Sequence, residues 1–425
     1  MDTRTKTGPD RKALFFIILT TFLSTVGLTL IIPLAPFLIA HYVSDSGSLG
    51  LTVGLFTSVY AVCQFIAAPG LGALSDRFGR RPILLLCILG SAGGYLLLGI
   101  GGALWVLFLG RIIDGLTGAN SAILNAYVAD IVPPAERGKY FGWIGAIAAI
   151  SIVLGPVLGG FMAKLGYQLP FFVAGGVALT NLLLGFFFLP ESLPKEQRTR
   201  SINLARLNPV STLKDILAMP QLRWLLVAIF LTGLSFIAIS ANISLFAKDS
   251  LNWDTSAVGA LFSVFGVTSI ATQAVLLPWL LKRLGPLQVT IVGLILAIVG
   301  YLLISLVAAV ASPLMMYSAF VILAIGEGLI TPSLLDLITR TTDARSQGKV
   351  QGGNQSIQSL AYMAGPVYVG EVYDHVGHAA PYLSGVGIFL LALGALLLAL
   401  PALKRSASGE DHVIASQVVA MSNDA

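Results

Sequence analysis

Three charged side chains stand in stretches that are otherwise almost wholly apolar: Arg111 and Asp114 in "GRIIDGLTGA" (110–119), and Glu327 in "ILAIGEGLITPSLLD" (322–336). A charge in such surroundings is costly unless it is paired, faces water or works. Glu327 has no basic residue within a turn of its own helix, so desolvation disfavours its charge and makes proton uptake and release its natural chemistry. Its alternative is a glutamate hydrogen-bonded between helices for stability. Arg111 and Asp114, three residues apart, share one helix face. They form either a self-neutralising structural pair or a site at which Arg111 tunes the protonation of a nearby carboxylate. No metal-ligand spacing, nucleotide loop or nucleophile–base constellation accompanies them, so the sequence predicts neither an enzyme nor a cofactor.

A second concentration of charge is "GALSDRFGRRP" (72–82). Gly72 permits close helix contact, Gly79 can take positive φ to end a helix, and Pro82 suits the first turn of the next. Arg77, Arg80 and Arg81 favour the negative carboxyl end of the preceding helix, whereas Asp76 is poorly placed there and needs a partner. Asp336, with Arg340 four residues on, marks a similar cytoplasmic helix end in the second half.

The elements that carry these groups are apolar runs. The chain has 425 residues, of which 56% are hydrophobic and 11% charged, far below the quarter usual in soluble domains. Runs of about 20 residues, each able to cross a hydrocarbon core as a helix, recur along it. The predicted spans are 13–40, 51–74, 82–101, 103–130, 140–163, 169–189, 223–247, 256–281, 287–310, 313–338, 352–373 and 381–401, so the fold class is an all-α polytopic membrane protein of twelve helices. All Lys and Arg residues except Lys164, Lys248 and Arg111 then fall at cytoplasmic segments when both termini are cytoplasmic. The first run is too long for a cleaved signal and is expected to be a span. Basic residues form no stripe, so no nucleic-acid partner is expected, and Cys63 and Cys87, inside apolar runs, are expected to be packing residues.

The expected organisation is a cytoplasmic N-terminus (1–12), a six-helix bundle (13–189), a cytoplasmic linker (190–222), a second bundle (223–401) and a disordered cytoplasmic tail (402–425). An internal repeat supports it. An offset of 210 residues lays Gly138, Lys139, Gly142, Gly155, Pro156, Val157 and Gly160 on Gly348, Lys349, Gly352, Gly365, Pro366, Val367 and Gly370. Two parallel six-helix repeats are a transporter architecture, with substrate held near the midplane.

The loop residues Gly72, Asp76, Arg77, Gly79, Arg80 and Arg81, with "YVADIVPPAERGKYFG" (127–142), "GPVLGG" (155–160) and "LPES" (189–192), resemble the major facilitator superfamily. Within it the chain is similar to the twelve-span drug:proton antiporter branch, nearest to tetracycline efflux proteins. The resemblance implies proton-coupled efflux of lipophilic small molecules by alternating access, from a monomer in the bacterial inner (plasma) membrane. Its rivals are a facilitator or proton symporter of a metabolite or lipid, and a non-transporting receptor. The resemblance also implies a cytoplasmic gate, in which Asp76 caps span eleven and Arg80 pairs with Asp130, and an antiporter helix motif in Gly155, Pro156, Gly159 and Gly160, which departs from the full pattern at Ser151. It links Arg111 to proton transfer, with Glu327 and Asp114 as the carboxylates.

The expected substrate cavity takes Thr25, Tyr60, Gln64, Asn120, Asn125, Phe236, Asn242, Gln273, Asn354 and Gln358, each of which could equally be helix-to-helix glue. One acid among amides and aromatics suits a lipophilic, neutral or cationic compound. The membrane acids of the tetracycline branch fall here on Ser24, Gly94 and Ala297, which argues against a tetracycline–metal chelate as the substrate.

Overall fold

The computed structural model describes residues 11–43, 46–133, 136–199, 219, 222–341 and 347–423. Among these the chain is helical, and turn residues set its boundaries. Helix α1 (Arg11–Leu30) is followed by a short α2 (Ala35–Ile39), which carries Pro36 in its first turn after the turn around Pro33. Helix α3 (Leu49–Phe78) stops at Gly79, whose φ of 111° an L side chain rarely adopts. Then come α4 (Arg80–Ile100), α5 (Leu104–Leu116), α6 (Asn120–Ile131), α7 (Arg137–Met162) and α8 (Leu169–Phe188). In the second half lie α9 (Arg223–Leu251), α10 (Thr255–Ala271), α11 (Leu277–Leu284), α12 (Pro286–Val310), α13 (Pro313–Arg340), α14 (Gln347–His375) and α15 (Ala380–Asn423). Residues 402–423, expected to be a disordered tail, instead continue α15 as helix.

Two expected spans are interrupted. The run 103–130 is broken between α5 and α6, where the Thr117 hydroxyl donates back to the Ile113 carbonyl at 2.8 Å and Gln64 Nε2 donates to the Gly118 carbonyl at 2.6 Å. The run 256–281 carries a π turn over Thr272–Leu276, just before Pro278 removes a helical donor. Ten helices among the described residues are long and apolar enough to cross a membrane, which makes this a multi-pass membrane protein. The expected spans outside those ten are the broken 103–130 and the polar 352–373 of α14.

The chain divides into two compact units. The first comprises residues 1–209, 238–267 and 363–378, so it takes parts of α9, α10 and α14 from beyond the linker. Its core has two buried clusters, one around Phe16, Leu84, Cys87 and Tyr127, the other around Leu34, Phe56, Tyr95 and Phe171. Cys63 and Cys87 are both free thiols. The second unit comprises residues 210–237, 268–362 and 379–425. In it Gly293 and Gly326 let α12 and α13 cross closely: a Cβ on Gly326 would lie 2.8 Å from the Gly293 carbonyl oxygen. Tyr301 is sealed among Tyr382 and Phe389 and donates to the Ser235 carbonyl.

Candidate functional site

The break after α3 aligns a cluster of opposite charges. Arg80 Nη1 lies 2.5 Å from Asp76 Oδ1, and its Nε donates to Asp130 Oδ2 at 3.2 Å. One guanidinium thus ties the end of α3 to the end of α6 with two charge-assisted bonds. The partner that Asp76 requires is met locally by Arg80. Arg81 donates to the Phe186 carbonyl at 2.5 Å and so caps the end of α8, while Arg77 rests on the Phe78 ring. Gly72 does not serve close packing: a Cβ there would meet nothing within 4 Å among the described residues. The expectation fails because the helix face at Gly72 is open; its carbonyl accepts from the Ser75 hydroxyl.

Sequence reasoning missed Glu191. Its Oε1 accepts from the Arg80 amide at 2.8 Å and caps α4, and its Oε2 lies 3.6 Å from Arg198. The adjacent Ser192 donates to Asp130 at 2.9 Å, and the Thr199 amide donates to the Asp76 carbonyl at 3.0 Å. The start of the linker is therefore docked on the 72–82 loop. The available signal was an acid directly after an apolar run, near a helix that begins with two arginines.

Helix α5 is held between two neighbours by glycines. A Cβ on Gly110 would lie 2.8 Å from the Gly94 carbonyl oxygen of α4, and one on Gly115 would lie 2.6 Å from the Tyr60 carbonyl oxygen of α3. This clamp sets Arg111 over the Tyr60 ring at 4.4 Å and near Phe56 at 5.3 Å. Arg111 Nη1 is 3.7 Å from Asp114 Oδ2, with both side chains buried. That separation is too long for a hydrogen bond, and both atoms are without one among the described residues. At that distance the two charges attract each other without a direct hydrogen bond.

Glu327 has a matching setting. It follows Gly326, which seats α12, and precedes Gly328, where a Cβ would lie 3.1 Å from the Thr272 side chain of the π turn. Its Oε1 is sealed from solvent and has no hydrogen-bond partner among the described residues. In the same unit Asp336 is bonded to Arg340 at 2.9 Å on an exposed face.

A model of the major facilitator superfamily matches residues 17–366. The chain belongs to that superfamily. It is similar to the class C tetracycline resistance protein of Escherichia coli, 35% identical over 94% of this chain and 98% of that one. It is also similar to multidrug resistance protein 2 of Bacillus subtilis, 29% identical over 86% of this chain and 90% of the other. Among solved structures, the human organic anion transporter MFSD10 covers 92% of this chain and 100% of its own at a TM-score of 0.67 and 26% identity. As a member of this superfamily the chain is a transporter of small molecules rather than an enzyme.

The glycine motif of α7 makes two contacts in this transporter. Gly155 and Gly159 face α1, with a Cβ on Gly159 reaching 2.5 Å from the Leu30 carbonyl oxygen. On the other side, a Cβ on Gly259 of α10 would lie 3.0 Å from the Pro156 carbonyl oxygen, and Thr255 donates to the Gly160 carbonyl at 3.3 Å.

The expected cavity residues lie in both units: Thr25, Tyr60, Gln64, Asn120, Asn125 and Asn242 in the first, Phe236, Gln273, Asn354 and Gln358 in the second. Gln64 is spent on Gly118 and on the Tyr60 hydroxyl, so it is helix glue. Asn120 donates weakly to Ser24 at 3.4 Å and lines a cavity of about 150 Å³ with Tyr95, Leu158 and Val177. Asn242 is buried with both amide atoms unpartnered among the described residues. Gln273 and Asn125 are exposed, Thr25 and Phe236 half-buried. Gln358 approaches Asn354 only at 3.4 Å.

Proposed function

We propose that this transporter exports lipophilic, neutral or cationic small molecules in exchange for protons. The observation that carries the reading is Glu327, a carboxylate with a sealed oxygen that has no partner among the described residues, inside an apolar helix. An isolated buried carboxylate is tolerated in such a place chiefly when it works. Relatives whose names tie them to tetracycline and multidrug resistance favour a drug-like cargo. Tetracycline chelates are disfavoured, because Ser24, Gly94 and Ala297 stand where that branch carries acids.

In this reading the chain crosses the membrane twelve times, the α5–α6 pair and α14 each counting as one crossing, and works as a monomer in a bacterial inner membrane. Both termini and the 72–82 loop are cytoplasmic, and the N-terminal end of α3 faces outside. Arg80, Asp76, Asp130 and the linker start form the cytoplasmic gate, with Asp336 and Arg340 on the second half. Glu327 takes the proton from outside and gives it up inside, while Asp114 beside Arg111 is the second carboxylate of the relay.

Purified protein in inverted vesicles, with the interior acidified, tests the reading through uptake of a lipophilic cationic dye. Uptake that stops when the pH gradient is collapsed supports antiport. Uptake indifferent to the gradient supports a facilitator instead.

A further inference from the structure

The outer end of the first unit is closed by two helix seams that the internal repeat makes equivalent. In one, α7 meets α10 through Pro156 and Gly160 against Gly259 and Thr255. In the other, α14 meets α3 through Pro366 and Gly370 against Gly54 and Gly50. The offset of 210 residues that lays Pro156 on Pro366 also lays Gly160 on Gly370. In each seam the proline carbonyl faces a glycine and the second glycine faces a backbone carbonyl one turn away, so helix backbones touch directly.

The seams differ in how the first turn of the partner helix is capped. Helix α10 carries its own cap: Asp254 Oδ1 accepts from the Ala257 amide at 2.8 Å. At the start of α3, the Ser48 side chain gives the first turn no cap among the described residues. Its cap comes from the other helix, where Asp374 Oδ1 accepts from the Gly50 amide at 2.9 Å and Oδ2 from the Leu51 amide at 2.7 Å. The residue equivalent to Asp374 at the α7–α10 seam is Lys164, a cation whose field favours the charged form of the already capped Asp254. The charged neighbours of Asp374 on its own helix are Glu371 and His375, which lie 3.4 Å from each other, and the adjacent Tyr373 donates its hydroxyl to Asp249 of α9 at 2.6 Å.

Separating the α7–α10 seam leaves the α10 cap intact. Separating the α3–α14 seam strips two amides of their acceptor and parts a carboxylate from the positive end of a helix. We propose that Asp374 is a positioning residue of the transport cycle, an outer latch that holds spans two and eleven together in the outward-closed state and is broken each time the outer end opens. The proposal rests on the transport reading above for its meaning, but the latch can be measured without transport.

Spin labels at Trp105 and Val376, both exposed, in full-length protein with Cys63 and Cys87 replaced, report the separation of α5 from the end of α14 by pulsed electron resonance in nanodiscs. Asp374→Ala is expected to raise the separated population about fivefold, the loss of one helix cap. Asp374→Asn, which keeps one acceptor, is expected to fall between, and thermal unfolding of both variants checks that they fold. Asp254→Ala is expected to leave the distances unchanged. Wild-type distances in both Asp374 variants, or an equal shift in Asp254→Ala, would overturn the proposal. Dye efflux by the same preparations separates the two readings, because a shifted distance in a protein that exports nothing upholds the latch and sinks the export.

Discussion

Gly94 on α4 abuts Asp114 on α5: a Cβ built on Gly94 would lie 2.9 Å from the Asp114 Cβ and 2.8 Å from the Gly110 carbonyl oxygen. No side chain fits here unless one of those neighbours moves. Gly94→Ala is expected to force the two helices apart at a cost of about 1–3 kcal/mol, and Gly94→Asp to cost more by adding a second carboxylate beside Asp114. Unfolding temperature in detergent checks both. An unchanged temperature for Gly94→Asp would show that the helices part freely.

The Arg80 guanidinium joins Asp76 and Asp130 through different nitrogens. Lysine offers one point charge in place of a planar fork, so Arg80→Lys is expected to lose most transport despite keeping its charge. A double-mutant cycle with Asp130→Ala is expected to give a coupling of about 0.5–3 kcal/mol in stability. Additive effects would show that the two ends are independent.

Glu191 fastens the linker start to this cluster. Glu191→Ala frees both the Arg80 amide and Arg198, and trypsin is expected to cut after Arg198 several-fold faster than in the unaltered protein. Equal cleavage rates would contradict the docking.

Asp254 caps α10, and the bond from the Ala257 amide holds its carboxyl below the ordinary value of 3.8. A depressed carboxyl stabilises the fold above its unfolded pKa and loses that contribution as pH falls through the folded one. Asp254→Ala is therefore expected to cost about 0.5–2 kcal/mol at neutral pH and progressively less below about pH 4. Unfolding curves across that range check the sign.

Much of this was legible in the sequence because the bilayer enforces long apolar runs, which an interrupting residue punctuates but does not hide. The Arg80–Asp130 pair was reachable through the loop signature, and the Arg111–Asp114 pair through helical spacing. The break at Thr117–Ala119 was not, since the glycines around it are equally at home in a continuous membrane helix; only Gln64, distant in sequence, supplies the missing bond to Gly118. Asp374 was hidden for a similar reason. Its partners are backbone amides some 324 residues away, and amides have no residue identity to read. The small-residue spacing of Gly50 and Gly54, opposite the repeated proline–glycine motif of α14, was the trace left in the sequence.

The central claim, that Glu327 couples export to protons, is tested most directly by comparing two assays on Glu327→Gln in proteoliposomes. The glutamine keeps the shape and loses the titration. Exchange of labelled substrate across a membrane without a gradient is expected to persist, whereas accumulation driven by an imposed pH gradient is expected to vanish. Gradient-driven accumulation at the rate of the unaltered protein would contradict the account.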